Sequence, residues 1–458
     1  MARGQLVLMV VFVGLAVAAA AASGKHSRGK SARLQLLPAT PGASLAERAR
    51  DDRRRHAYIS SRLAAARRRR AAETPLSTPG AVAASAFAMP LSSGAYTGTG
   101  QYFVRFRVGT PAQPFVLIAD TGSDLTWVKC RGPPPRVFRP GDSKTWSPIP
   151  CSSEMCQSSV PFSLANCSSS TATCSYDYRY NDNSAARGVV GTESATVALS
   201  GDRSDRKAKL EGVVLGCTTA YDGQGFEVSD GVLSLGYSNI SFVSRATSRF
   251  GGCFSYCLVD HLAPRNATSY LTFGPDPDSA SSSASSSSSR TPLLLDGRVR
   301  PFYAVTVDSI SVDGEALGIP SEVWDVGSNG GTIIDSGTSL TILATPAYKA
   351  VVAALTKQLA GLPRVSLDPF DYCYNWTARG DGDLAVPRLA VQFAGSARLE
   401  PPAKSYVIDA APGVKCIGVQ EGAWPGVSVI GNILQQEHLW EFDLTNRWLR
   451  FRQTRCTQ

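Results

Sequence analysis

The sequence predicts an all-β protein built as two related lobes with a cleft between them. Three observations carry that expectation. Ile118-Ala119-Asp120-Thr121-Gly122-Ser123 returns as Ile333-Ile334-Asp335-Ser336-Gly337-Thr338, with Leu125 and Leu340 in matching register. Short strand-like segments precede both copies: Tyr102, Val104, Phe106 and Val108 alternate with Phe103, Arg105 and Arg107, and Phe302 to Val312 repeats that texture. Between the copies, Ser279 to Ser289 is almost entirely serine and reads as a linker.

The ends of the chain have a different character. The net charge of +9 is unevenly spread. Residues 1–93 carry 15 Lys/Arg against 4 Asp/Glu, whereas 94–458 carry 31 against 33. A basic arm therefore precedes a nearly neutral body, which offers no evident polyanion-binding face. Arg3, an apolar run from Leu6 to Ala22, and small residues at its end describe a secretory signal peptide over 1–23. As a membrane anchor that run is short against the ~20 residues a span needs. The C-terminus, Phe451 to Gln458, is too polar to be a lipid-attachment tail. Eleven cysteines and sequons at Asn166, Asn239, Asn266 and Asn375 fit an oxidising compartment. The expected destination is the secretory pathway, ending outside the cell or in a vacuole.

Residues 24–93 hold Arg53-Arg54-Arg55 and Arg67 to Arg70. Behind a signal peptide, such an arm reads as a propeptide that masks an acidic cleft, acting as an intramolecular inhibitor. A nucleic-acid role would give phosphate affinity without base readout, and none is expected. The first lobe spans 94–278. Within it, Phe115 to Ala119 is a buried strand, and residues 131–175 form a surface excursion rich in Pro, Ser and Cys. Tyr176, Tyr178 and Tyr180 share one face of a strand that turns at Asn181-Asp182-Asn183-Ser184 and returns along Gly188 to Val197. Further strands fall at 212–216 and 269–273. The linker covers 279–290 and the second lobe 291–458. Its clearest helix is Pro346 to Leu359, with Tyr348, Val351, Val352, Leu355 and Leu359 on one stripe.

A single Asp-(Thr/Ser)-Gly-(Ser/Thr) describes a turn, because Asp and Ser bond their own backbone and Gly accepts positive φ. Two copies behind matched strands point to chemistry. Two carboxylates a few Å apart share one proton. The ionised one takes a proton from bound water while the protonated one polarises a scissile carbonyl. Asp120 and Asp335 are the candidate catalytic pair. Gly122 and Gly337 let backbone approach them, Ser123 and Thr338 offer hydroxyls to orient them, and Thr121 and Ser336 can tie the two loops together. No metal or cofactor is required. The four histidines, His26, His56, His261 and His438, share no motif with a nucleophilic serine and read as surface or structural residues. The 151–174 cysteine cluster is spaced too widely for a zinc site.

These residues resemble the pepsin-like aspartic endopeptidases over about 95 to 458. Trp127 resembles the tryptophan behind that family's flap, and Tyr180 its flap tyrosine. Asp230-Gly-Val-Leu-Ser-Leu-Gly236 and Val429-Ile430-Gly431-Asn432 resemble the elements threaded beneath the two aspartates. Glu441 to Leu444 and Trp448 to Phe451 resemble the closing strands. The cysteine-rich excursion and the lack of a saposin-like insert make the chain similar to the plant nepenthesin-like group. The resemblance implies the bilobal pepsin-like acid protease fold, acid-pH hydrolysis of protein or peptide substrates, synthesis as a zymogen, and a monomer. It also implies disulfides Cys151–Cys156, Cys167–Cys174, Cys130–Cys217, Cys257–Cys456 and Cys373–Cys416, with Cys253 left over as a free thiol or an intermolecular link. Three departures are visible. The flap turn reads Tyr-Asn-Asp-Asn-Ser, Ser234 stands at a usual glycine, and Arg131-Gly-Pro-Pro-Pro135 replaces a cysteine cluster. The other class of function is a catalytically silent relative acting as a binding or glycosidase-inhibitor protein.

Overall fold

The repeat in the sequence becomes a repeat in strand pairing. A computed structural model describes residues 52–53, 56–57, 59–60, 87–93, 100–132, 136–160, 167, 169–180, 184–199, 207–264, 267, 269–274, 289–295, 297–379 and 385–456. In the first lobe, Gln113–Asp120 carries the first aspartate at its end. Gly231–Ser234 lies parallel to it, with Ile118 opposite Val232. Trp127–Lys129 flanks Gly231–Ser234 on the other side, antiparallel, and Lys207–Asp222 runs parallel to Trp127–Lys129. The second lobe repeats each pairing. Thr332–Ile334 leads into Asp335, with Ser428–Ile430 parallel to it and Ile333 opposite Val429. Thr341–Ala344 is antiparallel to Ser428–Ile430 and parallel to Val419–Gly422.

The alternation of strand residues explains the two layers. Ile334, Ile430 and Leu343 point into the main core with the helix Thr345–Gln358, which buries Tyr348, Val351, Val352 and Leu355. That helix falls within a residue of the expected one. Ile333, Ile342 and Val429 point to the opposite face. The same split in the first lobe sends Ile118, Trp127 and Val232 to a second cluster beneath the hairpin of Ser175–Arg179 and Ala185–Ala198.

The lobes share a sheet. Cys253–Cys257 pairs with His438–Asp443 and with Ser269–Phe273. Ser269–Phe273 pairs in turn with Phe87–Ser93, which lies inside the segment 24–93 expected as propeptide. Ser289–Pro292 pairs with Trp448–Gln453, so Ser289 and Arg290 of the expected linker are already strand. Where the lobes meet, Phe254 stacks on Phe442 and the Tyr303 ring packs at a tilt against both. Among the described residues, no helix is long and apolar enough to cross a membrane.

The structure pairs Cys130 with Cys217, Cys257 with Cys456, and Cys373 with Cys416. Two expected pairs are corrected. In place of Cys151–Cys156 and Cys167–Cys174, the bonds are Cys151–Cys167 and Cys156–Cys174. The reason is backbone pairing. Residues 149–151 run antiparallel to 172–174, through Cys151 N–H to the Ala172 carbonyl and Cys174 N–H to the Ile149 carbonyl. The helical turn Met155–Ser159 then carries Cys156 to the buried Cys174, and Cys151 is left for Cys167. The thiols that crowd here, at Cys151, Cys156 and Cys167, are thus bound in disulfides. Cys253 is a free cysteine, and burial, reinforced by Asp443 and Glu441, pushes its thiol up to about 12. It is therefore held protonated and is a poor nucleophile.

The bond Cys257–Cys456 spans 199 residues and fastens the C-terminus to the shared sheet. Replacing both cysteines by serine is expected to lower the free energy of unfolding by about 3–5 kcal/mol, since long closed loops restrict the unfolded chain most. A lower denaturant midpoint under non-reducing conditions would report it, and an unchanged midpoint would contradict it.

Candidate active site

Each aspartate ends a buried strand, and the tight turn after it folds its own backbone onto the carboxylate. Gly122 N–H donates to Asp120 Oδ1 and Gly337 N–H donates to Asp335 Oδ1, both at 2.9 Å. Thr338 Oγ1 donates to Asp335 Oδ2 at 2.6 Å. The Ser123 hydroxyl donates to the Asp120 backbone carbonyl at 3.5 Å. Both aspartates are almost wholly buried, at 2% and 0% exposure.

Reciprocal bonds join the two loops. Thr121 N–H donates to Ser336 Oγ at 3.1 Å, and Ser336 N–H donates to Thr121 Oγ1 at 2.9 Å. The hydroxyls pass the bonds on, Thr121 Oγ1 to the Ile334 carbonyl and Ser336 Oγ to the Ala119 carbonyl. Each hydroxyl thus accepts from the opposite lobe and donates to it. This is why a Thr/Ser follows each Asp: a hydroxyl can do both at once, and an apolar side chain would leave buried amides without partners.

Beneath Asp335 lies a set of supporting side chains, most of them without a sequence motif. Gln435 Nε2 donates to the Asp335 carbonyl at 3.2 Å and to the Ile430 carbonyl at 2.8 Å. The Tyr256 hydroxyl donates to Gln435 Oε1 at 2.6 Å. Burial, and then the charge of Asp335, pushes the Tyr256 phenol well above its ordinary pKa, so it stays a donor. Asn432, placed by the threaded motif, donates from Nδ2 to the Ser336 carbonyl at 2.9 Å and to the Gly100 carbonyl at 2.7 Å. Only the Val-Ile-Gly-Asn motif signalled this region in the sequence. Tyr256 lies 179 residues from Gln435 and carries no local cue.

The hairpin closes on the first loop. Trp127 Nε1 donates to the Tyr180 hydroxyl at 2.6 Å, and Phe226 packs edge-on against both rings. Tyr178 is buried beside them, donating to Asp124 Oδ1 at 2.9 Å. The altered turn at 181–183 lies outside the described residues. Of the sequons, Asn239 is exposed and Asn375 half-buried, while Asn166 and Asn266 lie outside the described residues. His56, His261 and His438 are all buried. His438 Nδ1 bonds the Gln436 carbonyl, and burial lowers its pKa.

Two lobes that each contribute an Asp-turn, cross-bonded through their Thr and Ser, define a bilobal aspartic protease. Family models described as xylanase inhibitor N-terminal and xylanase inhibitor C-terminal match residues 102–275 and 302–453. Aspartyl protease family protein 2 of Arabidopsis thaliana is 35% identical over 384 residues, 81% of this chain and 74% of the relative. Aspartic proteinase nepenthesin-2 of Nepenthes gracilis is 33% identical over 373 residues, 79% of each. The solved structure of edgp superposes with a TM-score of 0.66 at 22% identity, covering 82% of this chain and 96% of that one. Soybean basic 7S globulin gives 0.60 at 21%, covering 80% and 95%. The chain belongs to the plant nepenthesin-like group of pepsin-like aspartic proteases, and it is an aspartic-type endopeptidase acting on protein or peptide substrates.

Proposed function

We propose that the protein is a secreted endopeptidase made as a zymogen, in which Asp120 and Asp335 share one proton and activate a water between them at acidic pH. The observation that carries this reading is the reciprocal Thr121–Ser336 bonding, which brings the two Asp loops together. The ionised carboxylate accepts a proton from the water as it attacks the scissile carbonyl. The protonated carboxylate gives its proton to the carbonyl oxygen, forming a gem-diol. As the C–N bond breaks, the carboxylate that took the water's proton passes it to the leaving nitrogen, and the other recovers a proton from a gem-diol hydroxyl, which restores the shared proton. Gly122, Gly337 and Thr338 hold the carboxylate oxygens in place by donating to them. Five disulfides agree with an oxidising, secretory route, whose end is the extracellular space or the vacuole.

The family models bear the name of an inhibitor, which raises the reading of a catalytically silent binding protein. The two intact Asp turns favour the enzyme. The test is to express residues 24–458, acidify, and identify new N-termini in the protein and in a denatured substrate by mass spectrometry. The enzyme reading expects cleavage that a statine-type inhibitor blocks. A processed protein that cleaves nothing at any acid pH would overturn it.

Tyr180 and Trp127 are assigned to the flap that covers the substrate. Tyr180→Phe deprives the Trp127 indole N–H of its acceptor, an effect of about 1–3 kcal/mol for a buried donor. We expect kcat/KM to fall roughly 10–100-fold, with the fold intact. An unchanged kcat/KM would remove Tyr180 from the flap's working parts.

A further inference from the structure

The two lobes bury their repeated sheets differently. In the first lobe the outer face of Ile118, Trp127 and Val232 is covered by the Tyr176–Tyr178 strand and the cysteine-rich excursion. The matching face of the second lobe is Ile333, Ile342 and Val429, and the hairpin has no counterpart in the cluster that covers it. There Ile59 takes part, together with Val299, Phe302 and Val326.

Residues 52, 53, 56, 57, 59 and 60 are helical, and Asp52, His56 and Ile59 fall on one face at i, i+4 and i+7. All three are buried, at 4%, 4% and 1% exposure. The Asp52 carboxylate accepts from Ser339 N–H at 2.9 Å and from Leu340 N–H at 2.7 Å. These amides belong to the turn that begins at Asp335. In the first lobe the equivalent amide, Asp124 N–H, faces the Tyr178 hydroxyl at 3.5 Å. The helix thus places an acceptor where the hairpin places one in the other lobe. His56 Nε2 lies 2.5 Å from the Val427 carbonyl, which only accepts, so the ring carries its proton on Nε2. Gly422 makes room for that ring: a Cβ there would sit 2.6 Å from His56 Cε1. Arg53, exposed on the flank, donates to the Pro369 carbonyl.

We propose that the second lobe carries a docking groove, formed by the Ser339 and Leu340 amides, Ile342, Gly422, Val427 and Val429, that recognises a helical segment of pattern Asp-x3-His-x2-Ile. Its occupant is the chain's own helical residues Asp52, His56 and Ile59. The groove is a recognition site separate from proteolysis and does not depend on the dyad being active. It binds the helix face of Asp52, His56 and Ile59, and Arg53 adds a flank contact to the Pro369 carbonyl.

A cleavable site introduced between residues 61 and 86 of the full chain, cut at pH 7, tests this without any activity readout. The N-terminal fragment is expected to stay bound through gel filtration. A synthetic peptide of residues 46–62 is expected to displace it, and the same peptide with Asp52→Asn to need at least about tenfold more, since a charge-assisted pair of bonds is weakened. Asp52→Asn and Ile59→Asp in the full chain should each shed the fragment. If those variants fail to fold, the peptide competition on the wild-type protein stands alone. Displacement equal for both peptides, or a fragment lost at once from the cut wild type, overturns the groove.

Discussion

Asp335→Asn is expected to lower kcat/KM at acidic pH by at least about 10³-fold while leaving the fold in place. The substitution is isosteric. Gly337 N–H can still donate to the side-chain oxygen, and the Thr338 hydroxyl can turn to accept from the new amide. What is lost is the ability to pass a proton. Asp120→Asn should match it, because the pair is one catalytic unit. The double variant should be scarcely worse than either single one, since residues acting as a unit are not additive. A single-turnover assay on a peptide, with unfolding midpoints for each variant, checks this. A variant retaining a tenth of the activity would assign the chemistry elsewhere.

The second large effect belongs to Gly431. A Cβ there would meet the Leu340 carbonyl oxygen at 2.4 Å, the Leu340 carbonyl carbon at 2.5 Å and the Ser339 oxygen at 2.7 Å. These are backbone atoms of the turn that follows Asp335, and they cannot swing aside as a side-chain tip can. Gly431→Ser is therefore expected to destabilise the protein by roughly 3 kcal/mol, at the upper end for overpacking, and to reduce activity because relief comes through displacement of the Asp335 turn. Ser234 occupies the same place opposite Asp120. Its hydroxyl lies 2.9 Å from Thr126 Oγ1, which also accepts from Ser234 N–H at 3.1 Å. Ser234→Gly should cost only about 1–2 kcal/mol, from lost backbone restriction in a strand and the lost bond to Thr126. Denaturant melts of the two variants compare them directly, and equal effects would contradict the asymmetry.

The fold was legible where local pattern and tertiary demand agree. Alternating residues at 102–108 and a single apolar stripe at 346–359 each have one way to bury themselves. The matched Asp turns also announced a pseudo-symmetric pair of lobes. The cysteines between 151 and 174 show the limit. Spacing alone fixes no pairing, and the family resemblance implied the wrong one here; the antiparallel run of 149–151 beside 172–174 decides which sulfurs meet. The shared sheet was hidden for a similar reason, because Phe87–Ser93 finds Ser269–Phe273 only in three dimensions. So was the support beneath Asp335, where Tyr256 and Gln435 are ordinary residues until the lobes assemble. In the arm of residues 24–93, arginines dominate the charge count, whereas the buried residues of its described helical part are Asp52, His56 and Ile59.

Two carboxylates that share one proton give kcat/KM a pH dependence set by the pair. The expected profile is bell-shaped with its maximum at acidic pH, both limbs belonging to the pair jointly. Neither Asp→Asn variant should show activity above background at any pH. A profile with a single ionisation, or an optimum at neutral or alkaline pH that survives Asp120→Asn, would contradict it.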